Sequence, residues 1–294
     1  MSESQVSVPL SVRLRFGHAA VQHLAEQTGV DLLHIKGAAV DPSLRPSQSG
    51  SDIDVIVRPG HVERLDRALR DHGWRLYSTF AYGSPFGHAQ TYLHEAWGYL
   101  DIHRFFPGIR VAPARAFERL WTDRHTVEIA TVGCPVPSVP AQALLLILNA
   151  ARSRAPNHPD VVTGWRDASD ARRVEIEALV ADLDAPVAFA AAVGGLDRYR
   201  RERDYRLWKV ISQGGTRSEE WWARVRAAPS ISEAARVVMR APLVNVDHLA
   251  HRLGHRPSAF EILTEFFARP ARAAIEAGQA LRRRSERRRS GASR

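Results

Sequence analysis

The amino-acid sequence predicts an α+β fold, with its strands in the amino-terminal half and an all-helical carboxy-terminal domain. Up to residue 132, short runs rich in β-branched residues alternate with segments of helical apolar spacing. A proline-rich connector at residues 134–140 follows, and beyond it the apolar spacing is helical almost throughout. Because domain boundaries fall in such connectors, we predict a first domain over residues 1–139, a helical domain over 140–280 and a basic, disordered tail over 281–294.

The first 60 residues predict a helix, a strand, a glycine turn and a second strand. Ser11 to Thr28 has apolar residues at helical spacing and is followed by a glycine, a common helix stop. Val30 to Ile35 is a short apolar strand that ends at Lys36-Gly37. The segment from Asp41 to Gly50 is rich in proline and serine, and it leads into a β-branched strand from Ile53 to Val57.

The following segment predicts a helix, a β-hairpin, another helix and another strand. His61 to His72 is the helix, and Ala89 to His94 pairs with Tyr99 to Phe105 in the hairpin. Pro113 to Trp121 is the next helix, and Thr126 to Val132 is the strand before the connector. The helices predicted beyond the connector are Ala141–Arg152, Trp165–Leu183, Leu196–Ile211, Glu219–Ala227, Ser232–Met239 and one that begins at Pro257.

The composition excludes several classes of protein. A hydrophobic content of 45% with 25% charged residues is typical of a soluble globular protein. The sequence has no apolar run long enough to span a bilayer and no basic segment with an apolar stretch at its start, so we expect neither a membrane partner nor a secretory signal. The single cysteine, Cys134, excludes an intrachain disulfide framework and a cysteine-based zinc site. We therefore predict a cytoplasmic protein.

The basic character of the chain is concentrated at its end. The net charge is +9, but residues 281–294 contain seven arginines and one glutamate, so the other 280 residues carry only +3. This tail could contact RNA, DNA or another anionic surface. The alternative, which we favour, is a frayed and solvated helix end. The nearly balanced body predicts no nucleic-acid partner apart from contacts through the tail.

Three aspartates form the main candidate site. Asp52 and Asp54 are two residues apart at the strand start, so their side chains point to the same face. Two carboxylates about 4 Å apart repel by roughly 4 kcal/mol at an effective dielectric constant of about 20, and a bound divalent cation would offset this repulsion. The alternative is an exposed, solvated pair. On the returning strand of the hairpin, Asp101 shares a face with His103.

A lysine and a glycine follow the first strand. Of the 41 basic residues, 39 are arginine, and Lys36 is one of only two lysines. A compact ammonium at this position would suit a phosphate group. Gly37 directly after the strand would allow the backbone to approach a ligand closely.

The order of these motifs resembles the DNA polymerase β-like nucleotidyltransferases, in particular a bacterial family of largely uncharacterised function that carries Lys-Gly after its first strand. The resemblance implies a mixed β-sheet with flanking helices and makes residues 1–139 the catalytic domain. The usual turn of the superfamily is Gly-Ser, whereas this chain has Gly37-Ala38 and lacks the hydroxyl. The matching segments are Leu33–Ala39, Arg45, Ser51–Val57, Leu100–His103, the helix Leu144–Arg152 and Trp165–Asp167.

The resemblance also implies the roles of the site residues. Asp52, Asp54 and Asp101 would be the catalytic and metal-binding residues of a site for two Mg²⁺ ions, with Asp101 accepting the proton of the incoming hydroxyl. The predicted nucleotide-binding residues are Lys36, Gly37, Arg45 and Ser51, although Gly50-Ser51 adjoins the Asp-x-Asp strand and cannot form the separate phosphate-binding turn. His88 and His103 are candidate substrate contacts.

The function implied is the transfer of a nucleoside monophosphate from an NTP, with ATP favoured, to a hydroxyl of a small molecule or peptide, with release of pyrophosphate. One alternative is a nucleotide-binding or scaffolding protein of the same fold with weak catalysis, for which the missing turn hydroxyl is the supporting feature. Another is a toxin that adds nucleotides to tRNA and uses the arginine tail as an anchor. Fold alone does not decide among these functions.

Overall fold

The computed structural model describes residues 8–45, 50–81, 86–155, 157–228 and 230–240, together with residues 249, 253, 255, 257–266 and 268. The basic tail at 281–294 lies outside the described residues. The described chain divides into two compact units, the first within residues 1–150 and 155–193 and the second within residues 151–154 and 194–294. The first unit therefore contains the predicted catalytic segment and also the helices that follow it. The division at residue 140 into separate domains stays a prediction.

A five-stranded mixed sheet forms the centre of the first unit, in the strand order β1-β2-β5-β4-β3. The two central strands, β2 and β5, are parallel, and the other neighbouring pairs are antiparallel. The α+β class with a mixed, helix-flanked sheet and a helical carboxy-terminal region is thus confirmed. The strands are β1 (Leu32–His34), β2 (Asp52–Val57), β3 (Arg75–Ser78), β4 (Ala89–His94) and β5 (Gly98–His103).

Strand β3 was not predicted from the sequence. Its four residues, Arg75–Ser78, have no β-branched side chain, and they are held by antiparallel pairing with β4 across a register shift. Such a short edge strand has too few residues to show an alternating pattern.

Part of the predicted proline-rich connector is a strand. β6 (His125–Ile129) and β7 (Val132–Val136) form a separate two-stranded sheet, in which Pro135 is the partner of Thr126. Proline lacks a backbone donor, but a two-stranded sheet has edges where a missing donor faces outward. The interpretation of residues 134–136 as a connector was therefore wrong.

Helix α1 (Leu10–Thr28) agrees with the predicted first helix and ends at Gly29, which adopts the left-handed conformation with φ 63°. Gly17 in this helix lies directly against β2, because a Cβ atom there would be 2.4 Å from Ile53 Cδ1. The absence of a side chain at Gly17 thus permits the close packing of α1 on the sheet. The apolar core on this face includes Val21, Leu24 and Val55.

The remaining helices of the first unit begin with α2 (Val62–Asp71) and α3 (Pro113–Thr122), both as expected. The predicted helix Trp165–Leu183 is interrupted: a π-helical turn covers Val162–Arg166, and Ser169 caps a new helix by accepting a hydrogen bond from the Arg172 amide. The helices after β7 are α4 (Val139–Ala150), α5 (Pro159–Val161), α6 (Asp170–Asp182) and α7 (Pro186–Val193).

The described part of the second unit is helical. The predicted helix Leu196–Ile211 is divided, because the polar residues 200–204 separate a 3₁₀ turn at Leu196–Tyr199 from α8 (Tyr205–Gln213). Helices α9 (Arg217–Ala227) and α10 (Ile231–Arg240) follow, close to their predicted bounds. Across the described residues, each helix is too short or too polar to traverse a bilayer.

Candidate active site

The parallel pairing of β2 and β5 brings the three predicted acids to one region of the sheet. Asp54 and Asp101 are direct register partners, and Asp52 is paired with Tyr99. Asp52 and Asp54 lie two residues apart on β2 and therefore share a face. Asp54 is buried, whereas Asp52 and Asp101 are partly exposed. The three carboxylates thus lie on one face of the sheet, on its two central strands.

Asp54 is the most strongly held of the three acids. Its Oδ1 atom accepts a hydrogen bond from Lys36 Nζ at 2.7 Å and another from His103 Nε2 at 2.8 Å. Burial raises the pKa of Asp54, but the Lys36 ammonium and the His103 hydrogen bond outweigh burial, so its pKa lies well below the usual value. Asp54 is therefore ionised at neutral pH.

In Asp101 and Asp52, the effects that raise the pKa outweigh those that lower it. Burial, reinforced by the negative charge of Asp54, raises the pKa of Asp101 to about 6, although Thr91 Oγ1 donates a hydrogen bond to its Oδ1 at 2.6 Å. Burial and the charge of Asp54 also raise the pKa of Asp52. Burial is the larger cause in both cases and the charge of Asp54 the second, so these two carboxyls take up a proton more readily than an exposed aspartate does.

The residues fit a hard divalent cation. One potential ligand atom each of Asp54, Asp101 and His103 lies within 4.8 Å of the others. Carboxylate oxygens, which Asp54 and Asp101 supply, are ligands that suit Mg²⁺. In its present contact, however, His103 Nε2 donates to Asp54 and so orients the carboxylate, as residues around metal ligands commonly do. Asp52 is not a member of this group, and its role as a ligand stays a prediction.

Two glycine segments meet beside the acids. Gly37 has φ +62° and begins a 3₁₀ turn at Gly37–Ala39. A Cβ atom on Gly50 would lie 3.4 Å from the Gly37 Cα atom, so the backbones approach closely. Ser51 follows Gly50 and donates a hydrogen bond from Oγ to Asp52 Oδ1 at 3.1 Å. The structure therefore brings Gly37 and Ser51 to the same side of the site as Asp52, while their nucleotide contacts stay predictions.

Lys36 lies in the site, but its ammonium contacts Asp54 rather than standing apart as a free cation. In this position it compensates a buried carboxylate. The predicted contact with phosphate therefore requires Lys36 to exchange or share this partner when a nucleotide binds. Sequence spacing does not reveal the contact, because 18 positions separate the two residues.

The two histidines that were predicted to contact the substrate lie next to each other. His88 and His103 are both buried, and their ring centroids are 5.1 Å apart. The Phe106 ring also stacks on the His103 ring, with the two centroids 5.9 Å apart. His103 thus contacts an acid of the site directly, whereas His88 contacts the His103 ring. Their direct contact with a substrate stays a prediction.

Arg45 forms a buried ion pair that the sequence did not suggest. Its Nε and Nη2 atoms donate to the two carboxylate oxygens of Asp160 at 2.8 and 2.5 Å. Asp160 is 3% exposed and is the second residue of the short helix α5, where the His158 side chain accepts a hydrogen bond from its amide. A bidentate pair of this kind fixes the guanidinium in place. The predicted contact between Arg45 and phosphate therefore competes with a strong internal partner.

Comparison with known proteins places this site in a family. A sequence model of a protein family described as "uncharacterised nucleotidyltransferase" matches residues 13–176, more than half of the chain. The chain belongs to this nucleotidyltransferase family. The match includes all the site residues from Lys36 to Asp160. Among curated proteins, no sequence match is found.

The solved structures that match this nucleotidyltransferase are distant from it. A lincosamide antibiotic adenylyltransferase with lincomycin bound shares 19% identity, covers 56% of this chain and 93% of its own, and has a TM-score of 0.33. An antigenic nucleotidyltransferase-like protein from Paracoccidioides brasiliensis shares 14% identity over 62% of this chain and 94% of its own, with a TM-score of 0.37. A tRNA-processing enzyme in an apo form shares 16% identity over 83% of this chain and 70% of its own, with a TM-score of 0.28. The family assignment therefore depends on the family match.

The role of Arg45 in this nucleotidyltransferase can be tested with a paired variant. Arg45→Met should lower the free energy of unfolding by about 3–5 kcal/mol, because it leaves the buried Asp160 charge unpaired. Arg45→Met with Asp160→Leu should recover most of this loss. We expect the double variant to bind Mg²⁺–ATP as wild type does, measured by calorimetry after urea unfolding has established its stability. A double variant that is stable but no longer binds the nucleotide would instead show that Arg45 contacts the phosphate.

Proposed function

We propose that this protein transfers a nucleoside monophosphate from an NTP to a hydroxyl group of a small molecule or peptide in a Mg²⁺-dependent reaction. ATP is the proposed donor. The observation that supports this proposal is the register pairing of Asp54 with Asp101 in a family of nucleotidyltransferases, with Asp52 on the same face and the pKa of Asp101 raised to about 6 by burial and by the charge of Asp54.

The acids would have different tasks in this reaction. Asp54, held by Lys36 and His103, would be the permanently charged ligand, and Asp101 would be the base. The pKa of Asp101, raised to about 6, is closer to neutral pH than that of an ordinary aspartate, so its carboxylate takes up a proton more readily. Bound Mg²⁺ would neutralise phosphate charge and bring the attacking and leaving oxygens into line.

The reaction balances with these groups. The acceptor hydroxyl gives its proton to Asp101 while its oxygen forms a bond to the α-phosphorus. The bond from the α-phosphorus to the bridging oxygen breaks, and pyrophosphate leaves with that bonding pair. Lys36 would stabilise the charge of the leaving pyrophosphate, for which its ammonium must exchange its present partner, Asp54, for the phosphate or share the two. The triphosphate would bind beside Asp52, where the absence of side chains at Gly37 and Gly50 lets the two backbone segments approach closely.

The test is a search for the transferred group. Candidate hydroxyl acceptors are incubated with the protein, Mg²⁺ and each NTP in turn, and the products are analysed by mass spectrometry. We expect an acceptor to gain the mass of one nucleoside monophosphate less water, with Asp101→Asn as the inactive control. Tight Mg²⁺–NTP binding without product for any acceptor would support the alternative of a nucleotide-binding scaffold.

A further inference from the structure

A chain of hydrogen bonds runs through the first unit and ends beside the glycine turn. The Gln22 amide donates from Nε2 to Glu26 Oε1 at 2.8 Å. His34 Nε2 is 3.2 Å from Gln22 Oε1, and the Nδ1 atoms of His18 and His34 are 2.8 Å apart. Three of the residues lie on α1 at intervals of four and so share one face of the helix. Glu26 is exposed, whereas the two histidines and the glutamine are buried.

The order of donors in this chain follows from its exposed end. An ionised carboxylate only accepts, so the Gln22 amide nitrogen faces Glu26 and its oxygen faces His34. His34 must then donate from Nε2, which leaves its Nδ1 as an acceptor for the Nδ1 proton of His18. In the neutral form of His18, the remaining nitrogen, Nε2, carries a lone pair.

Both rings are neutral at physiological pH. Burial, together with the neighbouring His18, lowers the pKa of His34 well below its usual value. Burial also lowers the pKa of His18 to about 4; the charge of Asp54 on β2 opposes this shift and that of Arg15 on α1 adds to it. The order of donors described above therefore applies to the resting protein.

The free end of the chain faces the glycine turn. His18 is completely buried, and its Nε2 atom has no hydrogen-bond partner in the part of the chain that the structure describes. A Cβ atom on Gly37 would lie 3.4 Å from this nitrogen, so Nε2 is in contact distance of the place where a side chain on Gly37 would begin. A buried polar atom without a partner costs stability, and such atoms are rare unless a ligand or water completes them.

We infer that His18 Nε2 is a contact of the NTP triphosphate in this site and takes the role of the hydroxyl that the Gly37-Ala38 turn lacks. The inference rests on the proposed function, because it needs a triphosphate at the turn. The packing of Gly17 against Ile53 brings α1 close enough to the sheet for its next residue, His18, to reach this turn. Phosphate oxygens accept hydrogen bonds, so the contact requires a proton on Nε2.

The hydrogen-bonded series of side chains can place a proton on His18 Nε2 without a change in net charge. The His18 Nδ1 proton passes to His34 Nδ1, while His18 Nε2 gains one proton and His34 Nε2 loses one. Because both rings are buried, these last two protons are exchanged with water during a transient local opening. The Gln22 amide then turns so that its nitrogen donates to His34, and it gives up its bond to Glu26. Glu26 is exposed, so water replaces the lost partner. Triphosphate binding therefore reverses the order of donors and acceptors in this series of hydrogen bonds.

NMR of the histidine ring nitrogens tests this directly in the wild-type protein. In the free protein, we expect His18 to be protonated at Nδ1 and His34 at Nε2. Addition of a non-hydrolysable ATP analogue with Mg²⁺ should transfer the His18 signal to the Nε2-protonated form. Inorganic tripolyphosphate with Mg²⁺ should do the same, because the contact is to phosphate and not to the nucleoside. An unprotonated Nε2 in protein saturated with either ligand would overturn the inference.

Two variants of His18 provide a matched pair. His18→Asn keeps a polar group near the Nδ1 position and removes the atom that faces Gly37, whereas His18→Gln keeps one near Nε2. By calorimetry, we expect His18→Asn to bind Mg²⁺–tripolyphosphate about tenfold more weakly than His18→Gln, the loss for one hydrogen bond to a charged group. Equal affinities in the two folded variants would contradict the assignment.

The same measurements separate this inference from the proposed function. If the wild-type protein binds no Mg²⁺–ATP, both fail. If it binds Mg²⁺–ATP and transfers nucleotide, but His18 keeps its resting tautomer and His18→Asn binds normally, only the inference about His18 fails.

Discussion

Asp54→Asn and Asp101→Asn should each abolish nucleotide transfer, but they should change the stability of the metal-free protein in opposite directions. Asp54→Asn leaves the Lys36 ammonium, whose side chain is only 18% exposed, without its counter-charge, and should destabilise the protein by about 3 kcal/mol. Asp101→Asn removes a carboxylate whose pKa is raised to about 6, and should stabilise the protein by up to roughly 3 kcal/mol at neutral pH. Urea unfolding in EDTA measures both changes.

The pH dependence provides a further check on Asp101. Between its unfolded value near 3.8 and its folded value of about 6, the folded protein binds more protons at this carboxyl than the unfolded chain does. The contribution of Asp101 to stability should therefore fall as the pH rises through this window, while His18 and His34, whose pKa values are lowered by burial, contribute in the opposite direction. The difference in stability between the wild type and Asp101→Asn, followed against pH, isolates the part due to Asp101. Asp54 contributes stability only above its unfolded pKa and loses it at lower pH, so it does not change within the window. Loss of stability in Asp101→Asn would contradict the electrostatic account.

Lys36→Met should destabilise the metal-free protein, and Mg²⁺ should restore much of the loss. Methionine keeps the length of the side chain but removes the charge that compensates Asp54, at a cost of about 3 kcal/mol for a broken, partly buried ion pair. A divalent cation bound by the acids would supply the missing positive charge. Thermal unfolding in EDTA and in Mg²⁺ should thus show a larger metal effect in the variant than in the wild type.

Lys36→Arg is the control for this prediction. It keeps the charge but replaces a compact ammonium with a planar fork, so we expect its stability to lie between those of the wild type and Lys36→Met. Both variants should bind Mg²⁺–ATP more weakly, Lys36→Met by about 1.5–3 kcal/mol, the range for a hydrogen bond to a charged group. A Lys36→Met protein with wild-type stability in EDTA would show that the ammonium does not compensate Asp54.

The local features of the site could be predicted from the sequence. The β-branched run from Ile53 to Val57 and the two-residue spacing of Asp52 and Asp54 determine a strand with both acids on one face. The alternation in β5 likewise places Asp101 and His103 on one face. These properties depend on backbone geometry over a few residues, and the structure has the strands at the expected positions.

The long-range features could not be predicted in the same way. Parallel pairing of β2 with β5 sets Asp54 beside Asp101, and only the family resemblance implied that these acids meet. The contact from Lys36 to Asp54 depends on the tertiary fold and has no signal in residue spacing. The same applies to Asp160, which lies 115 positions from Arg45, and to the pairing of His18 with His34.

Some local predictions failed because tertiary structure outweighed residue preference. Proline opposes strand formation in general, but Pro135 is accommodated in the two-stranded sheet of β6 and β7. The apolar spacing from Trp165 onward predicted one continuous helix, whereas Ser169 stops that continuity by capping a new helix.

Calorimetric titration with a non-hydrolysable ATP analogue, in Mg²⁺ and in EDTA, is the measurement that tests the central claim most directly. The claim is that the acids of β2 and β5 bind a nucleotide through a divalent metal. We predict binding to the wild-type protein in Mg²⁺, little or none in EDTA, and little or none to folded Asp54→Asn in either condition. Equal binding in Mg²⁺ and EDTA, or undiminished binding to Asp54→Asn, would contradict it.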